Sequence, residues 1–182
     1  QGQSTTIINP TGNGGFESGS TWAANGWTVA NGGQSNKWFV GTIPTGLTGL
    51  NCAYVGNSST VNSYNTGSIS VSHFYRDVTI PAGQSNITLS FNWKCYGEGS
   101  YDYIRVFVVP TTTTITSGTA LTSGQVGTNY NLSSTWQTAS ITLPCSYAGT
   151  TQRLVFTWVN DGSVGTDPPG CIDNISLISS AS

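Results

Sequence analysis

The sequence predicts an all-β protein folded as an antiparallel jelly-roll β-sandwich. Apolar and polar residues alternate in several segments, which is the pattern of half-buried strands. Glycine, proline, asparagine and aspartate separate these segments, and no window of the sequence repeats its apolar residues with helical spacing. Strands that follow one another without intervening helices favour a sandwich over an α/β fold.

The clearest strand covers residues 87–95, where Ile87, Leu89 and Phe91 begin a continuous apolar face. In the segment 68–80 the apolar residues change face near Phe74, which predicts a β-bulge. The other long strands are predicted at 103–109, 136–143, 153–159 and 171–178. Shorter strands are predicted at 16–17, 27–29, 38–40 and 52–56.

Residues 13–178 are predicted to form one domain, because strands of the same kind continue through this range. A chain of 182 residues is long enough to bury a sizeable core. Residues 1–12 are either a free N-terminal arm or a first strand, and residues 179–182 are predicted to be a C-terminal tail.

Only 7% of the residues are charged, the formal net charge is −2, and no basic run occurs. Nucleic acid is therefore not an expected partner. No apolar run approaches the length that spans a bilayer, so membrane insertion is not expected either. A neutral surface rich in hydroxyl and amide groups, in a chain that begins with Gln1, indicates an exported protein at the cell surface or outside the cell.

The four cysteines are too widely spaced for a zinc site, and their even number favours two disulfides in an oxidising compartment over four buried thiols. In a jelly roll that starts with the strand 52–56, the last strand, 171–178, lies antiparallel between that strand and 87–95. Among the three possible pairings this arrangement favours Cys95–Cys171 and Cys52–Cys145.

The same arrangement gathers five of the seven acidic residues at one end of the sandwich: Glu98, Asp102, Asp161, Asp167 and Asp173. Carboxylates at this density repel one another unless a cation such as calcium, or a hydroxyl-rich ligand, lies among them. The alternative is that they are solvated turn residues, an interpretation that is favoured for Asp161 and Asp167.

Two acidic residues stand beside apolar neighbours. Asp173 follows Ile172 in a strand that is predicted to be buried, so its carboxylate must be hydrogen-bonded, paired or metal-bound. Glu17 directly follows Phe16, and its carboxylate is expected to need a partner for the same reason.

Aromatic residues in turns suggest a sugar-binding surface, because a flat ring can stack on a sugar while nearby acids bind its hydroxyl groups. The alternative is that these rings cap the ends of the sandwich. The candidate ligand-binding residues are Tyr96, Glu98, Tyr101, Asp102 and Asp161.

The sequence predicts that the protein is not an enzyme. Its one histidine, His73, lies in a strand pattern and is interpreted as a hydrogen-bonded strand residue, and no motif of a known nucleophile is present. A glycosidase that uses Glu98 and Asp102 is the enzymatic alternative.

Several motifs, taken in order, resemble the cleaved-adhesin family in its choice-of-anchor J variant, found in secreted and surface proteins of Bacteroidetes. The resemblance covers nearly the whole chain. The motifs are GGFE (14–17), NGW (25–27), KWFVG (37–41), CAYV (52–55), HFYRDV (73–78), FNWK (91–94), GEGSYDYIRVFVVP (97–110), QRLVF (152–156) and PPGCIDNISL (168–177).

The resemblance implies a non-enzymatic jelly roll that serves adhesion or recognises a polysaccharide or a glycoprotein glycan. It also implies a structural calcium held by an acid near the start of the fold and an acid of the last strand, here Glu17 and Asp173. The alternative function is a structural subunit of a filament or surface layer, which binds copies of itself through its N-terminal strand.

Overall fold

A computed structural model describes residues 4–182 and contains two antiparallel sheets that pack face to face. The strands are β1 (Ser4–Ile8), β2 (Thr28–Ala30), β3 (Lys37–Gly41), β4 (Cys52–Gly56), β5 (Ser70–Thr79), β6 (Asn86–Cys95), β7 (Tyr103–Pro110), β8 (Gln125–Tyr130), β9 (Ser133–Leu143), β10 (Thr151–Asn160) and β11 (Cys171–Ser180). Three single-turn 3-10 helices cover Asn13–Gly15, Ala23–Asn25 and Cys145–Tyr147. The predicted β-sandwich is confirmed.

The six-stranded sheet has the order β3-β4-β11-β6-β9, with β1 added beside β11. The five-stranded sheet has the order β2-β5-β10-β7-β8. The last strand, β11, lies between β4 and β6, as the jelly-roll arrangement predicts. It continues to Ser180, which pairs with Asn86, so residues 179 and 180 belong to the sheet and not to a tail.

The N-terminal segment forms a strand. Residues Ser4–Ile8 pair with Leu177–Ser180 of β11, on the same side of β11 as β4. Residues 1–3 of the predicted arm lie outside the described part of the chain. The short strand that was expected at residues 16–17 does not form, because Phe16 adopts a left-handed backbone conformation with φ of 58° at the end of a 3-10 helix.

Aromatic rings fill the space between the sheets. Phe74 and Phe156 stack in adjacent strands of the five-stranded sheet, with their centroids 5.0 Å apart. From the opposite sheet, Phe91 contacts Phe156 edge-on at 5.3 Å and Trp38 contacts Phe74 at 4.9 Å. Edge-to-face pairs of this kind add to the stabilisation that burial alone provides.

Strand β5 contains no bulge, so that prediction is wrong. Its pairing with β10 is regular from Ser70 to Thr79, which places Phe74 and Val78 on the core face and His73 on the outer face. Both faces carry buried residues because the threonine-rich loop, residues 111–124, crosses the outer face of the five-stranded sheet. Because both faces of β5 are buried, apolar residues occur on both, and its sequence has the same pattern that a bulge would produce.

His73 anchors this loop. Its Nε2 lies 3.1 Å from the carbonyl oxygen of Thr116 and 3.0 Å from that of Thr119, and its Nδ1 lies 2.8 Å from Thr157 Oγ1. Because carbonyl oxygens only accept hydrogen bonds, Nε2 carries the hydrogen and Nδ1 accepts from the threonine hydroxyl. The interpretation of His73 as a hydrogen-bonded strand residue agrees with these contacts.

The Cys95–Cys171 bridge is absent, since all four cysteines have free thiols. Cys171 pairs with Lys94, the neighbour of Cys95, so the two cysteine side chains point to opposite faces of the sheet. Cys95 faces the core between the sheets, whereas Cys171 packs with Tyr54 on the outer face. A disulfide cannot form between side chains that point apart.

The Cys52–Cys145 bridge is also absent. Cys145 is exposed and lies two residues after Leu143. Leu143 pairs with Ile87 at the beginning of β6. Cys52 belongs to β4, which meets β11 level with Lys94 near the other end of β6. The two cysteines therefore lie at opposite ends of the sheet.

Burial lowers the pKa of His73 below its ordinary value of 6.5. The unfolded chain therefore binds a proton near pH 6.5 that the folded chain does not bind, and the free energy of unfolding falls as the pH falls below that value. We expect the stability difference between the wild type and His73→Gln to shrink from pH 7.5 to pH 5, by at most about 1.4 kcal/mol per pH unit. Urea unfolding of both proteins at each pH measures this, and a difference independent of pH would contradict it.

Candidate functional site

One end of the sandwich, here called the apex, is formed by residues 96–102 and 161–170. Two reciprocal hydrogen bonds between the backbones of Gly97 and Thr166, 2.9 and 3.0 Å long, join the two segments. Tyr96 N donates to the carbonyl oxygen of Pro168 at 2.8 Å, which adds a third contact. The acidic residues of the two segments are therefore held next to each other by backbone contacts.

Three carboxylates converge at the apex, where one oxygen from each of Glu98, Asp102 and Asp161 lies within 4.8 Å of the others. The structure thus brings together three of the five acidic residues that were expected at one end. Asp167 is nearby but accepts a hydrogen bond from Tyr64 N at 3.2 Å. Asp173 lies elsewhere, on the outer face of the six-stranded sheet.

Asp102 organises the apex from inside. It is fully buried, its Oδ2 accepts from Tyr64 Oη at 2.5 Å, and its Oδ1 accepts from Asp161 N at 3.0 Å. Burial raises its pKa, whereas the two hydrogen bonds act in the opposite direction. Because both oxygens already have partners inside the protein, Asp102 positions its neighbours and does not face solvent.

Glu98 has an oxygen without a partner. Its Oε1 is buried and has no hydrogen-bond partner among residues 4–182. Burial raises the pKa of Glu98, and the Asp161 and Asp102 carboxylates raise it further. A carboxylate in this state gains from a hydroxyl donor or a cation placed at the free oxygen.

Two tyrosine rings at the apex are exposed to solvent. Tyr101 is 55% exposed and Tyr96 is 38% exposed, and both belong to the segment that carries Glu98. Leu132 is also exposed, and its backbone N donates to the carbonyl oxygen of Tyr96 at 2.8 Å. The apex therefore exposes aromatic surface in the same segment that carries Glu98, and a ligand-binding role for Tyr96 and Tyr101 stays a prediction.

Sequence reasoning missed the residues that shape the apex from a distance. Tyr64 comes from the loop before β5, and the side chain of Asn131 donates to the carbonyl oxygens of Glu98 and Asp102 at 3.0 and 2.9 Å. Nothing in the local sequence identifies these contacts, because each partner lies about 30 residues or more away in the chain.

Glu17 and Asp173 both bind the capping loop, residues 42–51, which covers part of the outer face of the six-stranded sheet. Glu17 Oε1 accepts from Leu50 N at 2.8 Å and from Asn51 N at 2.7 Å. Asp173 Oδ2 accepts from Thr48 N at 3.2 Å. The two acids that the resemblance singled out therefore hold one loop between them.

Asp173 is fully buried. Burial raises its pKa to about 6, three backbone N–H donors oppose this shift, and the charge of Glu17 adds to it. The surroundings thus disfavour the charged form of Asp173, and a positive charge placed nearby would favour it.

No protein-family model matches the chain, and no curated protein matches it. Solved structures match over almost its whole length. The K3 cleaved adhesin domain of Lys-gingipain from Porphyromonas gingivalis W83 is 17% identical, with a TM-score of 0.57 over 97% of this chain and 99% of that domain.

Two further structures have different roles. TmCBM61, solved in complex with β-1,4-galactotriose, is 15% identical with a TM-score of 0.56 over 93% of this chain and 97% of its own. The Stig cyclase Fisc from Fischerella sp. TAU is 16% identical with a TM-score of 0.61 over 97% and 98%. These likenesses show the fold, and because they include a cyclase the fold alone does not assign a function.

The contact of Glu17 with the capping loop is testable. We expect Glu17→Ala to lower the free energy of unfolding by about 1–3 kcal/mol, because two backbone N–H groups lose their acceptor. Hydrogen exchange at the amides of Leu50 and Asn51 should become faster, and Glu17→Gln, which retains an oxygen, should restore most of the protection. Unchanged exchange at both amides in Glu17→Ala would contradict the contact.

Proposed function

We propose that this chain is a non-catalytic, extracellular adhesion module that binds a carbohydrate at its apex. One observation carries the proposal: residues 96–102 carry two exposed tyrosine rings and a partly exposed glutamate, Glu98, whose buried oxygen has no partner among residues 4–182. Aromatic surface beside a fixed hydrogen-bonding group is the combination that recognises a sugar ring and its hydroxyls. The fold shared with a cleaved adhesin domain and with a galactotriose-bound module supports this proposal.

Each apex residue has a separate role in this proposal. Tyr101 and Tyr96 provide ring faces on which a sugar stacks. Glu98 and Asp161 accept hydrogen bonds from its hydroxyl groups. Buried Asp102, fixed by Tyr64 and by the backbone of Asp161, holds the segment that carries the other acids.

The geometry supports binding rather than hydrolysis. A glycosidase needs two carboxyl groups that both face the substrate. Here Glu98 is partly exposed, but its partner Asp102 is fully buried with both oxygens hydrogen-bonded. His73 is buried beneath the threonine-rich loop and has hydrogen bonds at both ring nitrogens.

The apex is tested by affinity electrophoresis in gels that contain xylan, galactan or mucin glycoprotein. We expect retention on at least one of them and a loss of affinity of about tenfold or more in Tyr101→Ala, since a central aromatic contact is worth about 1.4 kcal/mol or more. Leu50→Ala serves as the matched control, because Leu50 is an exposed apolar residue on the capping loop. Retention that Tyr101→Ala and Leu50→Ala reduce equally, or no retention on any gel, would contradict the proposal.

We further propose a structural calcium ion beside Glu17 and Asp173. The two carboxylates face the same loop, and a Cβ atom added to Gly46 would lie 2.8 Å from Asp173 Oδ2 and close to the carbonyl oxygen of Asn51. Carboxylate and carbonyl oxygens are the ligands that calcium takes in proteins. The ion would hold the capping loop to β11 and relieve the repulsion between the acids.

Calcium binding to the folded chain raises its stability by linkage, by about 2.7 kcal/mol when free calcium is a hundredfold above the dissociation constant. We expect EDTA to lower the melting temperature and added calcium to restore it, with a smaller response in Asp173→Asn. Glu98→Gln controls for calcium at the apex and should respond like the wild type. A melting temperature that is insensitive to EDTA would contradict the proposed calcium ion.

A second candidate function, self-association, is favoured by the edge of β1. This strand pairs with β11 on one side and with no strand of residues 4–182 on the other. An open edge can accept a strand from another copy. Sedimentation velocity over a wide concentration range tests this, since association through the edge predicts a larger species at high concentration and a constant monomer contradicts it.

A further inference from the structure

Arg76 is a charged residue on the core side of the five-stranded sheet. It follows Phe74 by two positions in the regular strand β5 and therefore shares the inner face with Phe74 and Val78. Its guanidinium carbon lies 5.4 Å from the centre of the Trp27 ring. The side chain thus enters the edge of the sandwich, next to the 3-10 helix Ala23–Asn25.

The guanidinium group has no acceptor. Its Nε and Nη1 atoms are buried and have no hydrogen-bond partner within residues 4–182. The ion pair found in this part of the chain joins Arg153 to Asp77 and does not involve Arg76. Burial lowers the pKa of Arg76, and no neighbouring carboxylate acts against that shift.

A partly buried guanidinium with two unsatisfied N–H groups is costly, and an apolar side chain of similar volume would avoid that cost. Such a group calls for an explanation by a function or by an absent partner. The stacking on Trp27 compensates for a part of the cost, but it provides no hydrogen-bond acceptor for the N–H groups.

A second donor lies beside the guanidinium at Gly26. A Cβ atom added to Gly26 would lie 3.0 Å from Asn13 Nδ2 and 3.4 Å from Arg76 Nη1, so the two donors flank one position that has no side chain. Asn13 Oδ1 accepts from Ser18 Oγ at 3.1 Å, while Nδ2 of the same amide lies on the side of Gly26. Gly26 also has a φ of 78°, which favours glycine there.

One of these donors, Nη2 of Arg76, reaches the surface near an aromatic side chain. Nη2 is the one guanidinium nitrogen that is not buried, and it too lacks a hydrogen bond within the described residues. Trp22 is half-buried, and its ring centre lies 4.9 Å from that of Phe74. Phe74 is two residues before Arg76 and lies on the same face of β5. Neither Arg76 nor Asn13 Nδ2 donates a hydrogen bond within the described residues, and donors of this kind suit an oxyanion.

We propose that Arg76 and Asn13 bind the carboxylate of an acidic sugar, such as a uronic acid, at a second site away from the apex. The sugar class rests on the proposed carbohydrate-binding function, whereas the need for an anion rests on the unsatisfied guanidinium. The carboxylate enters at Nη2 and also accepts from Nη1 and from Asn13 Nδ2. An inorganic oxyanion offers the same chemistry, so the experiment must separate the two.

The test follows the Arg76 side-chain Nε–H signal by NMR while sodium glucuronate is added at constant ionic strength. Glucose is the uncharged probe, sodium sulfate is the inorganic one, and melting temperatures are recorded in parallel. We expect a saturable shift with glucuronate, a weaker one with sulfate and none with glucose. Glucuronate should raise the melting temperature of the wild type but not that of Arg76→Met.

The variant without ligand separates this role from a structural one. Arg76→Met keeps an unbranched side chain against Trp27 and removes the unsatisfied charge, so its melting temperature without anions should equal or exceed that of the wild type. Arg76→Lys keeps the charge without the planar fork and should bind glucuronate at least tenfold more weakly.

Three results would overturn the proposal. The first is the absence of any shift with glucuronate, and the second is an equal thermal response to glucuronate in Arg76→Met. The third is a response to sulfate with none to glucuronate, which would exclude the acidic sugar. Tyr101→Ala should leave the glucuronate response intact. A negative result for sugar binding at the apex is therefore distinguishable from a negative result for anion binding at Arg76.

Discussion

The stacked pair of Phe74 and Phe156 is the contact on which the rest of the fold depends. The two rings lie in neighbouring strands of one sheet, and each receives an edge-on ring from the other sheet. Trp27 contacts both of them, at 5.2 and 5.9 Å, and so attaches the segment before β2 to the same centre. Because only 7% of the residues are charged, this aromatic core, rather than a network of surface ion pairs, fixes the relative position of the sheets.

Two separate sites lie around this core. At one end of the sandwich the apex is built by backbone hydrogen bonds between two segments and is stiffened by buried Asp102. On the outer face of the six-stranded sheet, Glu17 and Asp173 hold the capping loop. Ligand contacts proposed for the apex therefore do not depend on the residues that are proposed to hold calcium.

The strands that the sequence predicts best have one buried face and one exposed face. Strand β6 alternates cleanly, and its neighbour β11 was placed correctly between β4 and β6. Strand β5 departs from this pattern because a loop more than 30 residues away in the chain covers its outer face, so the predicted bulge does not form. Strand β8 was missed because its sequence, Gln-Val-Gly-Thr-Asn-Tyr, has few apolar residues to reveal the alternation.

The candidate site was predictable to a similar degree. Acidic residues after one strand and before another indicated a common end of the sandwich, and Glu98, Asp102 and Asp161 do converge there. Asp102 differs from the other two because it is buried and accepts a hydrogen bond from Tyr64, which lies 38 residues away in the chain. The cysteine pairs failed for a related reason, since strand order places Cys95 near Cys171 but the direction of each side chain follows from the register.

The apex is the proposed carbohydrate-binding surface. It is tested most directly by following backbone amide signals in two-dimensional NMR while a panel of neutral oligosaccharides that includes β-1,4-galactotriose is added. We expect that at least one sugar shifts signals of residues 96–102 and 161–166 and leaves those of residues 42–51 unchanged. Shifts confined to the outer face of either sheet, or no shift with any sugar, would contradict it.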